Sequence, residues 1–305
     1  MRYRPFGKSG LAVSSVSLAL TDVPSRPRAS DWTSLVFSAM ENGINTFEVV
    51  GTNPAILDGL AEAVSNVDRH LLFLGLRLGN SATRMGRDFS TRTMFNSVEA
   101  ALARTGIEHL DLVMLDDPAT EELSPEALGM LKDLRNEGRA RNIGVAGEGE
   151  AMDAYISTNA FDVLSTPYNL LSGWRDRHRI KAAQERDMPV IGYDFFSNEV
   201  QALAEAAAAP VKGGWFRKAP PSPLSQSGTY GFLGTTNGWT AEEICLAFTL
   251  TEPCVATVQL KADRAEHMTE LARATERDLP PGVASRIEMA RFGATGAAAS
   301  GAGKA

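Results

Sequence analysis

Eight short apolar runs punctuate the chain: SVSLAL (15–20), NTFEVV (45–50), LLFLGLR (71–77), DLVMLD (111–116), NIGVA (142–146), DVLST (162–166), PVIGYD (189–194) and VATVQL (255–260). Each is β-branched or leucine-rich and nearly continuous in its hydrophobicity, the pattern of parallel strands covered on both faces. Between the runs, apolar residues recur at helical spacing. Trp32, Leu35, Val36, Ala39 and Met40 make one such face, and Asn42-Gly43 stops that helix. Asn53-Pro54 and Ser124-Pro125 each place a capping side chain before a proline at the first helical position. The second of these opens a helix through Leu128, Leu131 and Leu134 that Gly138 closes, and Thr240 with Glu243 forms a capping box ahead of Ile244, Ala247 and Phe248.

Eight strand–helix units in succession predict a (β/α)8 TIM barrel with right-handed crossovers. Upstream, YRPFGKSGLAVS reads as a β-hairpin turning at Lys8-Ser9-Gly10, placed to plug the bottom of the barrel. Two segments break the rhythm. Residues 209–238 are rich in Gly, Pro and Ser, and no helix can run through APPSP. A long loop is therefore expected where a barrel helix belongs, carrying Trp215, Phe216, Tyr230 and Phe232. The barrel is expected over 1–292, and the Gly/Ala-rich end, 293–305, as a disordered low-complexity tail.

Composition narrows the function more than the fold. The formal charge of −7 over 305 residues argues against a nucleic-acid partner, whose phosphates call for a basic face. Two cysteines, Cys245 and Cys254, make neither a disulfide framework nor a metal-ligand spacing. Neither a signal peptide nor an apolar run of membrane-spanning length is present, so a cytoplasmic protein is expected, with no membrane partner.

The stretches YRPFGKSGLAVSSVSLAL, GINTFE, GIEHLDLVML, LRNEGRARNIGVA, STPYNLL and VIGYDFF, in this order and spacing, resemble the aldo-keto reductase family over roughly residues 1–290. The resemblance implies a barrel that binds an extended NAD(P)H, with its site at the C-terminal ends of the strands. It also implies a catalytic group of Asp, Tyr, Lys and His, in which the Tyr protonates the carbonyl oxygen as hydride arrives. Carried over motif by motif, those positions read Glu48, Asn53, Arg77 and Asp116, so all four differ. The amide of Asn53 has no titratable proton to give at neutral pH. Arg77 is bulkier and forked where the family has a Lys. Asp116 puts negative charge where an oxyanion would develop. A plainer reading accounts for the same residues: Asn53 caps a helix, while Glu48, Arg77 and Asp116 form an ion network at the barrel rim.

The cofactor positions are divided. Where the family holds the nicotinamide carboxamide with Ser, Asn and Gln, this chain has Ala146, Gly147 and Ser165, while the stacking tyrosine is kept as Tyr193. A buried tyrosine of the barrel wall is an equal reading of that residue. On the adenosine side Lys261 and Glu270 match, but Ala262, His267 and Leu271 stand at the Ser, Arg and Asn positions. Asp263 is expected to begin a helix whose dipole favours a phosphate. NAD(H) is therefore expected over NADP(H), with Tyr193, Lys261 and Glu270 as its contacts and no metal.

The expectation that follows is a pseudoenzyme: an oxidoreductase homologue without its catalytic group, acting on a regulatory protein partner. It is similar in this to the KidO-like members of the family, which control bacterial cell division and a cell-cycle histidine kinase. An active NAD(P)H-dependent oxidoreductase with a non-standard catalytic group, or a carboxylate lyase using Glu48 and Asp116, stand as alternatives.

Overall fold

The structure, a computed structural model, describes residues 1–79, 87–208, 230–262 and 264–291. Eight parallel strands close into a barrel: β3 (Val16–Thr21), β4 (Thr46–Val50), β5 (Phe73–Leu78), β6 (Leu110–Asp116), β7 (Ala140–Ala146), β8 (Val163–Pro167), β9 (Val190–Tyr193) and β10 (Val255–Leu260). They follow one another around the barrel in chain order, and β10 pairs with β3 to close it. The strands fall on the predicted runs with shifts of one or two residues. One shift of two residues, at residue 71, arises because Asp68 accepts from the His70 N–H and winds Arg69–Leu71 into a 3-10 turn before β5 begins.

Alternation along each strand divides the apolar residues into two cores. Leu18, Leu20, Phe47, Leu74, Leu76, Val113, Leu115, Val145 and Leu164 face outward to the helical layer. Phe73, Leu112, Met114, Ala146, Val163 and Ile191 face inward, and with them pack Phe6 and Val13 of the N-terminal hairpin. That hairpin, β1 (Tyr3–Pro5) with β2 (Ala12–Ser14), turns through residues 7–10 and seals the lower end of the barrel, the Phe6 and Phe73 rings lying 4.6 Å apart. Arg4 fastens it by donating to the backbone carbonyls of Leu250, Glu252 and Val255 at the foot of β10.

The helical layer comprises α1 (Ala29–Glu41), α2 (Pro54–Val64), α3 (Thr91–Thr105), α4 (Pro125–Asn136), α5 (Gly149–Thr158), α6 (Trp174–Gln184), α7 (Asn198–Ala208), the single turn α8 (Phe232–Thr235), α9 (Ala241–Thr249) and α10 (Ala265–Ala274). The capping signals act as read: Asn53 accepts from Ala55 N, Ser124 from Ala127 N, and Thr240 and Glu243 form a reciprocal box.

The seventh crossover corrects the sequence reading. It contains two barrel helices, α7 directly after β9 and α9 directly before β10, so the Gly/Pro-rich segment is an insertion between helices and does not replace one. The alanine-rich run NEVQALAEAAA is a helix that the sequence reading missed, although Ser197 caps it by accepting from the Val200 N–H at 3.4 Å, and it buries Val200, Leu203 and Ala204. Two of the four rings expected on that loop are core residues. Tyr230 is 1% exposed, and Phe232 is buried with Leu233 against the main core. Trp215 and Phe216, like Asp263 and the 293–305 tail, lie outside the described residues.

Because Phe6 fills the barrel floor and Phe232 lies in the main core, truncating either to Ala is expected to cost about 3–5 kcal/mol. Urea denaturation measures this. A loss below about 1 kcal/mol for Phe232→Ala would show that the ring is not part of the core.

Candidate functional site

The loops leaving the upper ends of the strands begin with unusual backbone. Gly51, Gly79, Asp117, Gly147 and Asp194, each following the last residue of its strand, all have positive φ. At two of them only glycine fits. A Cβ on Gly79 would lie 2.4 Å from the Phe89 ring, and one on Gly147 would lie 2.6 Å from the Asp117 carboxylate. The family's carboxamide-binding Asn is thus replaced by a residue whose vacated space Asp117 lines. Asp117 is held there by Arg87, which donates to both its carbonyl and its carboxylate and ties the far end of the β5–α3 connection to β6.

Inside this ring of turns sits a buried ion cluster. Glu48 (β4), Arg77 (β5), Asp116 (β6) and Gln259 (β10) all occupy inward-facing positions near the upper ends of their strands. Arg77 is 7% exposed, and a buried guanidinium is costly unless its charge and donors are matched. Its Nε donates to Glu48 Oε1, its Nη1 to Asp116 Oδ1 at 3.3 Å and its Nη2 to Gln259 Oε1 at 3.4 Å. Gln259 closes the circuit by donating from Nε2 to Glu48 Oε2 at 2.7 Å. Burial opposes the charge on Arg77, but Glu48 and then Asp116 outweigh it, and its pKa lies above the ordinary arginine value. Both oxygens of Glu48 are consequently committed, and Glu48 is 4% exposed. Asp116 is the outlying member: among the described residues its side-chain partner is the Arg77 Nη1, and more of its side chain is in water.

The sequence reading brought Glu48, Arg77 and Asp116 together but missed Gln259. Its signal was present: a lone amide in the run VATVQL, on a strand whose other residues are apolar or small. Asn53 stands apart from the cluster in its contacts, its Oδ1 accepting from Ala55 N at 2.8 Å as the cap of α2. Tyr193 faces the cluster, its ring centroid 5.7 Å from the Arg77 guanidinium. Burial raises its phenol pKa; Arg77 pulls the other way, but Asp194, Glu148 and Asp116 reinforce the rise. A phenol so placed holds its proton more tightly than a free tyrosine, which suits a wall or a stacking ring better than an acid.

For the cofactor, three observations bear on fit. Ser165 is fully buried with no hydrogen-bond partner for its hydroxyl, at the position where the family holds the carboxamide. Tyr193 offers a ring beside it on the neighbouring strand, with Pro167 of β8 as its paired residue. Lys261 is exposed at the end of β10, 3.1 Å from Asp194. These fit a nicotinamide dinucleotide: Ser165 and Tyr193 would hold its nicotinamide end and Lys261 its phosphates. Glu270 lies farther along α10 and is exposed, while His267, at the position of the family's 2′-phosphate-binding Arg, contacts Glu242 of α9 at 2.9 Å. Among the described residues no group of three or more His, Cys, Asp or Glu side chains could hold a metal, and no helix is long and apolar enough to cross a membrane.

A closed eight-stranded α/β barrel with a hairpin floor and a polar cluster at the C-terminal ends of its strands is the architecture of a barrel oxidoreductase. The aldo/keto reductase family model matches residues 25–291, and the chain belongs to that family. Among solved structures it is similar to the aldo-keto reductase AKR11C1 from Bacillus halodurans. The holo form aligns at TM-score 0.76 and 18% identity over 95% of this chain and 96% of that one. The apo form aligns at 0.72 and 17% over the same shares.

The geometry orders the costs of breaking the cluster. Glu48→Ala leaves Arg77 buried without its closest partner and is expected to destabilise by about 3–5 kcal/mol. Asp116→Asn, at a longer and wetter contact, is expected to cost about 1 kcal/mol or less. Removing both charges in Arg77→Met/Glu48→Leu should recover most of the Glu48→Ala loss. Equal costs for the two single variants in urea titrations would show that the cluster has no central pair.

Proposed function

We propose that this chain is a catalytically inactive aldo-keto-reductase-like protein that binds NAD(H) and acts as a regulator through contacts with another protein, in the manner of the KidO-like regulators of cell division and of a cell-cycle histidine kinase. The observation that carries the loss of catalysis is the closed circuit of Glu48, Arg77 and Gln259. In a reductase of this family the cation tunes a proton donor. Here the cation is spent on three neighbours, and the donor's position holds an amide that caps a helix. When bound, a nicotinamide dinucleotide supplies hydride, but hydride transfer to a carbonyl also needs a proton delivered to the oxygen. Neither Asn53 nor the tightly held Tyr193 proton answers that need. The carboxylate-lyase alternative is disfavoured because Glu48 is buried and both of its oxygens already accept hydrogen bonds, from Arg77 and Gln259.

Preference for NAD(H) over NADP(H) rests on Ala262 and on His267, which contacts Glu242 where a 2′-phosphate would need a cation. Retention of the dinucleotide rests on Ser165, Tyr193 and Lys261. A regulatory role follows as the use left to a folded, ligand-binding barrel with no chemistry.

Purified protein is expected not to oxidise NADH or NADPH above background with a panel of aldehydes, ketones and quinones. Turnover of about 1 s⁻¹ or more with any of them, ordinary for an enzyme, would overturn the pseudoenzyme reading. Asn53→Tyr alone should not rescue it, since Arg77 and Asp116 remain.

Saturating NADH is expected to raise the melting temperature, and NADPH to raise it less. Ser165→Ala and Lys261→Ala should each weaken binding measured by calorimetry. No heat and no thermal shift with NADH at about a thousand times a micromolar dissociation constant, a concentration worth about 4 kcal/mol of stabilisation, would remove the dinucleotide from the proposal.

A further inference from the structure

Two of the three most exposed large apolar side chains among the described residues lie on neighbouring elements at one corner of the barrel. Trp174, the first residue of α6, is 63% exposed, and Met289, in the C-terminal helical segment 283–291, is 65% exposed. Two contacts hold their elements together. Arg177 lies 3.5 Å from Glu288, and Arg291 donates to the carbonyl of Ser172 just before α6. The segment is otherwise firmly seated, with Val283, Ile287 and Ala290 all buried, so Met289 is not exposed because its helix is loose. A tryptophan offers 150–250 Å² of mostly apolar surface, and leaving most of it in water needs a reason that packing does not give.

The charge around this corner runs against the rest of the molecule. The chain carries −7 overall, yet α6 holds Arg175, Arg177, Arg179 and Lys181 against the single acid Asp176. Arg179 is buried and bound to Asp153 and Asp176, and so belongs to the scaffold. Arg175, His178 and Lys181 are exposed on the solvent side; Lys181 lies 4.0 Å from Glu185 in a solvent-exposed pair, and the Arg175 guanidinium lies 5.5 Å from the centre of the Trp174 ring. An exposed Trp and Met flanked by arginine and lysine have the make-up of an interface anchor, the residue types enriched where partners bind. The local positive charge on an acidic protein selects the sign of the partner.

We infer that the corner formed by the first two turns of α6 and the end of the 283–291 segment is a docking surface for an acidic polypeptide segment carrying a large apolar side chain. The apolar group covers Trp174 and Met289, and flanking carboxylates face Arg175 and Lys181. The inference deepens the proposed regulatory role and rests on it. It also places the contact on exposed side chains of α6 and the 283–291 segment and not on Tyr230 and Phe232, which are core residues.

The probe is a fluorescein-labelled peptide of glutamates flanking a central Phe-Leu, measured by fluorescence anisotropy with the full chain. Binding in the micromolar range is expected, weakening steeply as salt rises because the flanking contacts are exposed. Trp174→Ser is expected to weaken it about tenfold or more without moving the melting temperature, since the ring contributes little to the core. Lys181→Glu should weaken it by a smaller factor. Unchanged binding to Trp174→Ser would overturn the inference, as would equal binding of an all-glutamate peptide without Phe-Leu. Binding to phosphatidylserine vesicles in place of the peptide would make the corner a membrane contact. Self-association lost in Trp174→Ser, with no peptide binding, would make it an interface between two copies. Either result overturns the proposal. Carbonyl turnover would sink the regulatory reading alone, because peptide binding at Trp174 is measured independently of it.

Discussion

A guanidinium buried at the mouth of the barrel constrains everything around it. Arg77 cannot shed its proton, so its charge must be met within reach of its own fork. Glu48 from the strand on one side and Asp116 from the strand on the other meet it, and Gln259, reaching from β10, satisfies what they leave. Locked together, these groups tie four strands, β4, β5, β6 and β10, through one polar circuit at the upper end of the barrel.

The two ends of the barrel solve opposite problems with the same alternation. At the floor, inward positions are apolar, and the hairpin brings Phe6 and Val13 to fill them. At the mouth, inward positions are charged or carry hydroxyls, and order comes from hydrogen bonds and from turns at positive φ. Ser17, Ser165 and Thr257, buried with unpartnered hydroxyls, sit on strands between these regimes. Buried hydroxyls of this kind are commonly answered by ordered water or by a ligand.

Much of this was legible in the sequence because parallel barrel strands are short, apolar and evenly spaced. The strands, the hairpin and the caps at Asn53, Ser124 and Thr240 depend on local patterns, and local patterns are what a sequence displays. The meeting of Glu48, Arg77 and Asp116 could be read because three successive strands bring them together. Gln259 could not be placed with them by the same reasoning, since it lies 182 residues beyond Arg77 and joins only when the barrel closes. The seventh crossover misled for a different reason. Gly, Pro and Ser announce a loop but do not say whether it replaces a helix or interrupts the span between two, and α7 lies between that loop and β9 in a run of alanines. Tyr230 and Phe232, at the edge of the insertion, anchor its return to the core.

The hairpin floor imposes an order of events on the making of the molecule. Arg4 lies close to the beginning of the chain, and its acceptors are carbonyls near residues 250–255. While the polypeptide emerges from the ribosome, Phe6 can meet Phe73 once β5 is made, but Arg4 waits for nearly the whole barrel before its acceptors exist. A chain stopped before β10 lacks the fastening of Arg4 and has a sheet with two open edges, which invite association with other chains. The last strand thus both closes the barrel and fastens its floor.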